Sequence, residues 1–218
     1  MIKYGLIGVS GRMGGEIRDV MAEKGHSMVY SLSSKEETFR ENPQLIIDFS
    51  LPAVFQLTAE KVRQFGVPLI IGTTGLNEEQ LSVLKELSSA IPVVQSYNFS
   101  TGIQMLLKCA AMLKDHLNDW DMEILETHHR YKKDKPSGTA IMISDVLGGN
   151  IPVSSLRLGN IAGDHTVYFG GSGEVLSITH SATSRRTFAE GVLRSAEFIT
   201  GRKSGLYTFQ DVVFGEKR

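Results

Sequence analysis

The chain has 218 residues, 41% hydrophobic and 22% charged, the makeup of a globular protein with one large core or two modest ones. Lysine and arginine number 23 against 24 acids, for a net charge of -1, so no overall basic field points to nucleic acid. The lone Cys109 excludes an intramolecular disulfide, no run reaches the roughly 18 apolar residues of a membrane span, and Met1 leads into a strand rather than a secretory signal, so a cytoplasmic location is expected.

The first third alternates strands and helices. Ile2 to Ile7 reads as a short apolar strand, and the glycine loop from Gly8 to Gly14 opens a helix that runs through Ile17, Val20 and Met21 to stop at Gly25. Ser27 to Leu32 is a second strand, Leu45 to Phe49 a third, Leu57 to Phe65 a helix stopped by Gly66, Leu69 to Ile71 a fourth strand, Glu78 to Leu87 a helix, and Pro92 to Val94 a fifth strand. Such alternation predicts right-handed βαβ units and a parallel sheet covered on both faces.

After Phe99 the pattern changes. Ser100 to Leu117 predicts a helix with Met105, Leu106, Ala110, Met112 and Leu113 on its apolar side and Cys109 as a buried, inert thiol. Strand signals then cluster at Asp121 to Thr127, Ser155 to Ile161, His165 to Phe169 and Glu174 to His180, which suggests a second, α+β domain. Thr187 to Ile199 is a further helix, with Phe188, Val192, Leu193, Ala196 and Ile199 on one face.

Gly8, Gly11 and Gly14 have the GxxGxxG spacing of a strand-to-helix turn that lets a pyrophosphate approach the backbone. Its position, after the first strand and opening a helix, favours dinucleotide binding over a merely structural turn. Arg12 either adds a cation to the phosphates or is a surface arginine. The second strand ends in Ser33, Ser34 and Lys35 without the acid that usually holds the adenosine ribose of NAD, so NADPH is expected at least as readily as NADH. Gly72 to Gly75 and Ser96 to Phe99 follow strand ends on the same edge, and either line the nicotinamide or turn the chain.

The densest chemistry lies between Glu123 and Ala140, in EILETHHRYKKDKPSGTA. A strand over Asp121 to Thr127 delivers His128, His129 and Lys132 at its carboxyl end, and Ser137 is an N-cap for a helix running from Gly138 to Leu147. The open N–H groups at that helix start form a site for a carboxylate or phosphate. Taken singly, the His pair reads as a polar strand end and the lysines as a solvated loop; compressed into twelve residues, they point to a site. No metal is expected, because adjacent histidines do not match the usual zinc spacings.

With these residues in view, the whole chain resembles the dihydrodipicolinate reductase (4-hydroxy-tetrahydrodipicolinate reductase) family. The resemblance rests on GVSGRMG at 8–14, DFS at 48–50, GTTG at 72–75, NFSTG at 98–102, ETHHRYKKDKPSGTA at 126–140, GDHTV at 163–167 and ITHSATSRRTFAEG at 178–191. The chain departs from the family pattern in a shortened region after the second strand, Ser33 to Arg40, which bears on cofactor preference.

The resemblance implies an α/β fold: an N-terminal Rossmann-like dinucleotide-binding domain (1–99 plus 185–218) with an inserted α+β substrate-binding and oligomerisation domain (100–184), assembled as a homotetramer through the inserted sheets. It also implies reduction of 4-hydroxy-tetrahydrodipicolinate with NADPH or NADH, in lysine biosynthesis through diaminopimelate. His128 takes the position of the acid/base and Lys132 that of a proton donor; an ordinary histidine at roughly 6.5 suits proton exchange near neutrality. His129, Ser137, Gly138 and Thr139 match the substrate contacts, and Arg185 is either a further substrate cation or a surface arginine. The cofactor set is Gly8, Val9, Ser10, Gly11, Arg12, Met13, Ser33, Ser34, Lys35, Gly72, Thr73, Thr74, Ser96, Tyr97, Asn98 and Phe99. Another small-molecule NAD(P)-dependent dehydrogenase shares the N-terminal fingerprint, and a noncatalytic nucleotide sensor does not need the HHxxK and PSGT groups.

Overall fold

Strand β1 (Lys3–Ile7) is buried from Tyr4 to Ile7, the mark of a strand covered on both faces. In the computed structural model, which describes residues 1–215, it is followed by α1 (Arg12–Glu23), β2 (Ser27–Leu32), β3 (Glu37–Phe39), β4 (Leu45–Asp48), a 3-10 turn at Pro52–Val54, α2 (Phe55–Phe65), β5 (Leu69–Ile71), α3 (Glu78–Ala90) and β6 (Pro92–Gln95). Glycine in the left-handed region ends α2 at Gly66, and α3 opens on a capping box between Asn77 and Gln80.

A second unit, Ser100–Arg185, holds α4 (Thr101–His116), β7 (Asp121–His128), α5 (Gly138–Val146), β8 (Val153–Arg157), β9 (Asp164–Gly170) and β10 (Val175–Ser181). The chain then rejoins the first unit through α6 (Arg186–Ile199), β11 (Gly205–Thr208) and α7 (Phe209–Phe214). The fold is α/β, a Rossmann-like N-terminal unit with a second α+β unit inserted before α6.

The first unit has one seven-stranded sheet in the order β11-β6-β5-β4-β1-β2-β3, parallel throughout except for the antiparallel pairing of β2 with β3. Alternate strand residues feed two cores. Leu6, Ile47, Ile70 and Val94 pack with Ile17 and Met21 of α1 and Val192 and Ala196 of α6; Ile7, Ile46, Leu69 and Val93 pack with Ala59 of α2 and Leu84 of α3. The chain passes from β1 outward to β2 and later returns to β4 on the other side, so a crevice opens at the carboxyl ends of these strands.

The second unit's sheet runs β10-β9-β7-β8, with α4 and α5 packed on one face around Ile103, Leu107, Ile124, Ile143, Val167 and Phe169. Register puts Ile124 opposite Val167 and Val153, and Glu126 opposite His165 and Ser155, so one face of the sheet is apolar at one end and polar at the other.

Several expectations shift. β8 covers Val153–Arg157 rather than 155–161, because its partner β7 ends at His128, opposite Arg157. The three-residue β3 and the short α7 carry too little periodicity to be predicted. In α4 the buried stripe is Ile103, Leu106, Leu107 and Ala110, at i, i+3, i+4 and i+7. Met105 and Met112 turn outward on the opposite side, and Cys109 is half-buried rather than buried.

Candidate active site

In the first unit the glycines divide by role. Gly8 has φ +87°, and a Cβ on it would lie 2.6 Å from the Phe49 carbonyl oxygen, so the chain's own packing demands glycine there. Gly11 has an ordinary φ of -74° and is exposed; it caps α1 without any side-chain hydrogen bond, leaving the first N–H groups of the helix open. A cleft of about 430 Å³ adjoins it, lined by Gly8, Ser10, Gly11, Ser33, Ser34 and Ser50 on the polar side and by Leu32, Phe49, Leu51, Val54 and Leu57 on the apolar side. An anion cradle next to an apolar slot fits a dinucleotide's pyrophosphate and base.

Other residues expected there have their side chains engaged elsewhere. Asp48, fully buried at the end of β4, accepts from the Ser50 N–H at 2.9 Å, the Ser50 hydroxyl at 2.6 Å, the Thr58 hydroxyl at 2.8 Å and the Thr73 hydroxyl at 3.1 Å. Burial pushes its pKa up against those four bonds. Thr73 is therefore a loop anchor whose hydroxyl is occupied. Ser96 likewise donates to the Asn98 carbonyl at 2.7 Å and accepts its N–H. The Phe99 side chain is 2% exposed, in contact with Phe49 and Phe209 in the core, so a cofactor contact at this position would fall to its backbone. Val9 and Met13 also pack against that core. Arg12, Lys35, Thr74 and Tyr97 are exposed, and Gly72 lies under the Phe49 ring.

In the second unit, period-two geometry puts Glu126 and His128 on the same face of β7. His128 is 8% exposed, and its Nδ1 meets the carboxylate of Glu126, which is fully buried. Arg157, opposite His128 on β8, grips the same carboxylate with both ends of its fork, Nη1 to Oε2 at 2.9 Å and Nη2 to Oε1 at 2.6 Å. A Cβ on Gly163, whose φ is +155°, would sit 3.0 Å from His128 Nε2, so a side chain there would crowd the nitrogen that Glu126 leaves available. Lys132, in the loop after β7, pairs with Asp134 at 2.8 Å.

Helix α5 begins beside this cluster. Ser137, 1% exposed, accepts the Ala140 N–H at 3.2 Å and meets His165 Nε2 at 3.3 Å, while the His165 ring lies 5.1 Å from that of His128. The Ser137 hydroxyl caps the helix start, beside the expected substrate contacts. Gly138 is half-exposed, Thr139 is 6% exposed, His129 and Arg185 are half-buried, and Arg185 falls within the second unit.

The charges follow from burial and partners. Burial would raise Glu126, but hydrogen bonds from Arg157, Ser155 and His128 prevail and hold it at about 2. Burial, the largest influence, pushes His128 below its ordinary value; Glu126 opposes it, and Lys132 and Arg157 reinforce it. His165 is driven down to about 3, by burial first and then by His128. At neutral pH the cluster holds a fixed carboxylate, neutral His128 and His165, and cationic Arg157, which leaves Nε2 of His128 to take up and release a proton.

Glu126, His128 and His165 bring ligand atoms within 4.8 Å of one another, a geometry that adjacent histidines did not suggest. Both Glu126 oxygens, however, are held by a guanidinium, so the trio reads as a proton network and not as a cation site. Glu126, Arg157 and His165 were absent from the expected site residues. A usable signal was present for one of them: an acid two residues before His128, following Met122 and Ile124 on the inward face of the strand.

Two family models match the chain, described as dihydrodipicolinate reductase, N-terminus, over residues 2–99 and dihydrodipicolinate reductase, C-terminus, over residues 102–213. The chain is 44% identical over 212 residues to the 4-hydroxy-tetrahydrodipicolinate reductase of Thermosipho africanus, covering 97% of this chain and 98% of the relative. It is 37% identical to that of Helicobacter hepaticus, covering 98% and 99%. The dipicolinate-bound dihydrodipicolinate reductase from Paenisporosarcina sp. TG-14 shares the fold at TM-score 0.77 and 23% identity, over 95% of this chain and 97% of that one. On this evidence the chain belongs to the dihydrodipicolinate reductase family, also called the 4-hydroxy-tetrahydrodipicolinate reductases.

Proposed function

We propose that the chain reduces 4-hydroxy-tetrahydrodipicolinate, by way of dihydrodipicolinate, to tetrahydrodipicolinate with NADPH or NADH, in lysine biosynthesis through diaminopimelate. The first unit is the dinucleotide-binding domain. Backbone groups from Gly8 to Met13 would hold the pyrophosphate, Ser33, Ser34 and Lys35 the adenosine ribose, and the loops at 72–74 and 96–98 the nicotinamide end. When bound, the nicotinamide supplies the hydride.

The second unit is the substrate domain. The N–H groups and hydroxyl at Gly138 and Thr139, with Lys132, His129 and Arg185, hold the carboxylates of the substrate. As the ring takes on electron density, a proton that His128 first takes up at Nε2 from solvent and then releases, with Lys132 as the neighbouring donor, lowers the barrier. The observation that carries this reading is the meeting, at one end of the four-stranded sheet, of a carboxylate-held imidazole with Lys132 and the open start of α5.

A homotetramer in the cytoplasm is the assembly we expect. The outward face of the second sheet supports it, with Leu156, Tyr168 and Val175 exposed there at 45%, 38% and 70%. Among the described residues no helix is long and apolar enough to cross a membrane. Oxidation of NADPH and NADH in an assay coupled to dihydrodipicolinate synthase tests the activity, and sedimentation analysis tests the assembly. No consumption of either cofactor would overturn the first, and a monomer the second.

A further inference from the structure

Arg157 is 7% exposed at its side chain and makes four hydrogen bonds. Two go to the Glu126 carboxylate; the others run from Nη2 to the Asp134 carbonyl at 2.6 Å and from Nη1 to the Leu156 carbonyl at 2.7 Å. Its Nε is buried without a partner. A buried ion pair is weak evidence for stability, and an unmatched buried donor weakens it further, so packing alone gives no reason for an arginine here.

What the guanidinium touches gives a reason. Glu126 receives the Nδ1–H of His128, and Asp134 receives the ammonium of Lys132. We propose that Arg157 is a positioning residue for both proton-handling side chains, holding His128 through Glu126 and the loop that carries Lys132 through the backbone of Asp134. A lysine could supply the charge but not the planar fork that reaches two partners in fixed directions. The Glu126 contact also fixes the tautomer, with Nδ1 protonated and Nε2 free to exchange a proton.

Among the described residues the groups that act on His128 are Glu126 on its own strand, Arg157 on β8, His165 on β9, and Lys132 in the following loop with its partner Asp134. Among the described residues Glu126 is the one carboxylate paired with the ring. The inference rests on His128 being the proton-exchanging group.

Rate profiles against pH for Glu126→Gln and Arg157→Lys separate the possibilities. Glu126→Gln keeps an acceptor for Nδ1–H but removes the charge, so the limb of the kcat profile that reports His128 should move down by about one pH unit, with turnover at neutral pH about ten-fold lower. Arg157→Lys keeps the charge, so it should lower kcat several-fold with that limb in place and with NADPH affinity unchanged. ¹⁵N histidine spectra should show the Nδ1–H tautomer of His128 in the wild type and a mixture of tautomers in Arg157→Lys.

If both variants keep wild-type kcat and pH profile and lose only thermal stability, the role is structural and the proposal is overturned. If Arg157→Lys does not fold, an unmoved limb in Glu126→Gln still overturns it. His128→Gln with wild-type turnover would instead remove the reading of the site itself, a result distinguishable from failure of the positioning role.

Discussion

Gly14 of α1 packs so closely on Gly8 that a methyl group at position 14 would lie 2.3 Å from the Gly8 carbonyl oxygen. At Gly11 the nearest atom to such a methyl is the same oxygen at 3.2 Å, a contact that a small shift relieves. Gly14→Ala is therefore expected to destabilise the protein by about 3 kcal/mol, the upper end of ordinary overpacking. Gly11→Val should fold and weaken NADPH and NADH together. Thermal denaturation beside cofactor titration checks the contrast, and wild-type NADPH affinity in a folded Gly11→Val would displace the cofactor site.

His128→Gln and Lys132→Ala should each lower turnover by roughly two powers of ten while NADPH binding stays nearly intact, since both residues lie in the second unit. Steady-state kinetics with a separate NADPH titration decides. Weakened cofactor binding at normal turnover would contradict the assignment.

How much of this was legible in the sequence depends on distance along the chain. The glycine loop, the His pair and the Ser137 cap are local patterns, and each fell where its spacing put it. The Glu126–Arg157 fork joins residues 31 apart, and only the register of β7 with β8 makes it visible. His165 reaches Ser137 through an antiparallel pairing that no local period announces. The inward turn of the Phe99 side chain was hidden for a related reason: a motif shows which residues recur together, not which side chains pack against Phe209.

Pyridine-2,6-dicarboxylate should compete with the substrate, because its flat ring and paired carboxylates mimic the product frame. Thr139→Val, which removes one hydroxyl from the start of α5, should weaken that inhibition roughly five-fold, or about 1 kcal/mol. Equal inhibition of variant and wild type would move the carboxylate site elsewhere.

The turn after β2 allows a test of cofactor choice. The Ser33 hydroxyl accepts N–H groups from Lys35 at 3.2 Å and Glu36 at 3.0 Å, and an aspartate carboxylate accepts in the same way. Ser33→Asp should keep the turn, add a negative charge, and penalise NADPH relative to NADH by about 1 to 3 kcal/mol. Titration of both cofactors reads the ratio; an unchanged ratio rules out this turn as the selector.

Acid should loosen the second unit in two stages. His165 has its pKa depressed to about 3, so the stability it contributes is present above its unfolded value of about 6.5 and is lost as pH falls toward 3. Glu126, depressed to about 2, adds a loss between about 4.5 and 2. Melting temperatures against pH should show His165→Gln with a flatter slope than wild type between pH 6.5 and 4. Parallel slopes would mean that His165 does not govern the first stage.

Strand β11 closes the first sheet beside β6, and a Cβ on Gly191 of α6 would lie 1.8 Å from the carbonyl oxygen of Phe99, where the first unit's N-terminal segment ends. During synthesis the ribosome must therefore deliver all of Ser100–Arg185 before β11, the second partner of β6, and α6, which packs on Phe99, exist. The inserted unit, continuous in sequence, has all its strands by Ser181 and is free to fold while the earlier one still waits with an unpaired edge at β6. The half of the molecule that is begun first is finished last, and a nascent chain stalled before Gly205 carries an open strand exposed to its neighbours.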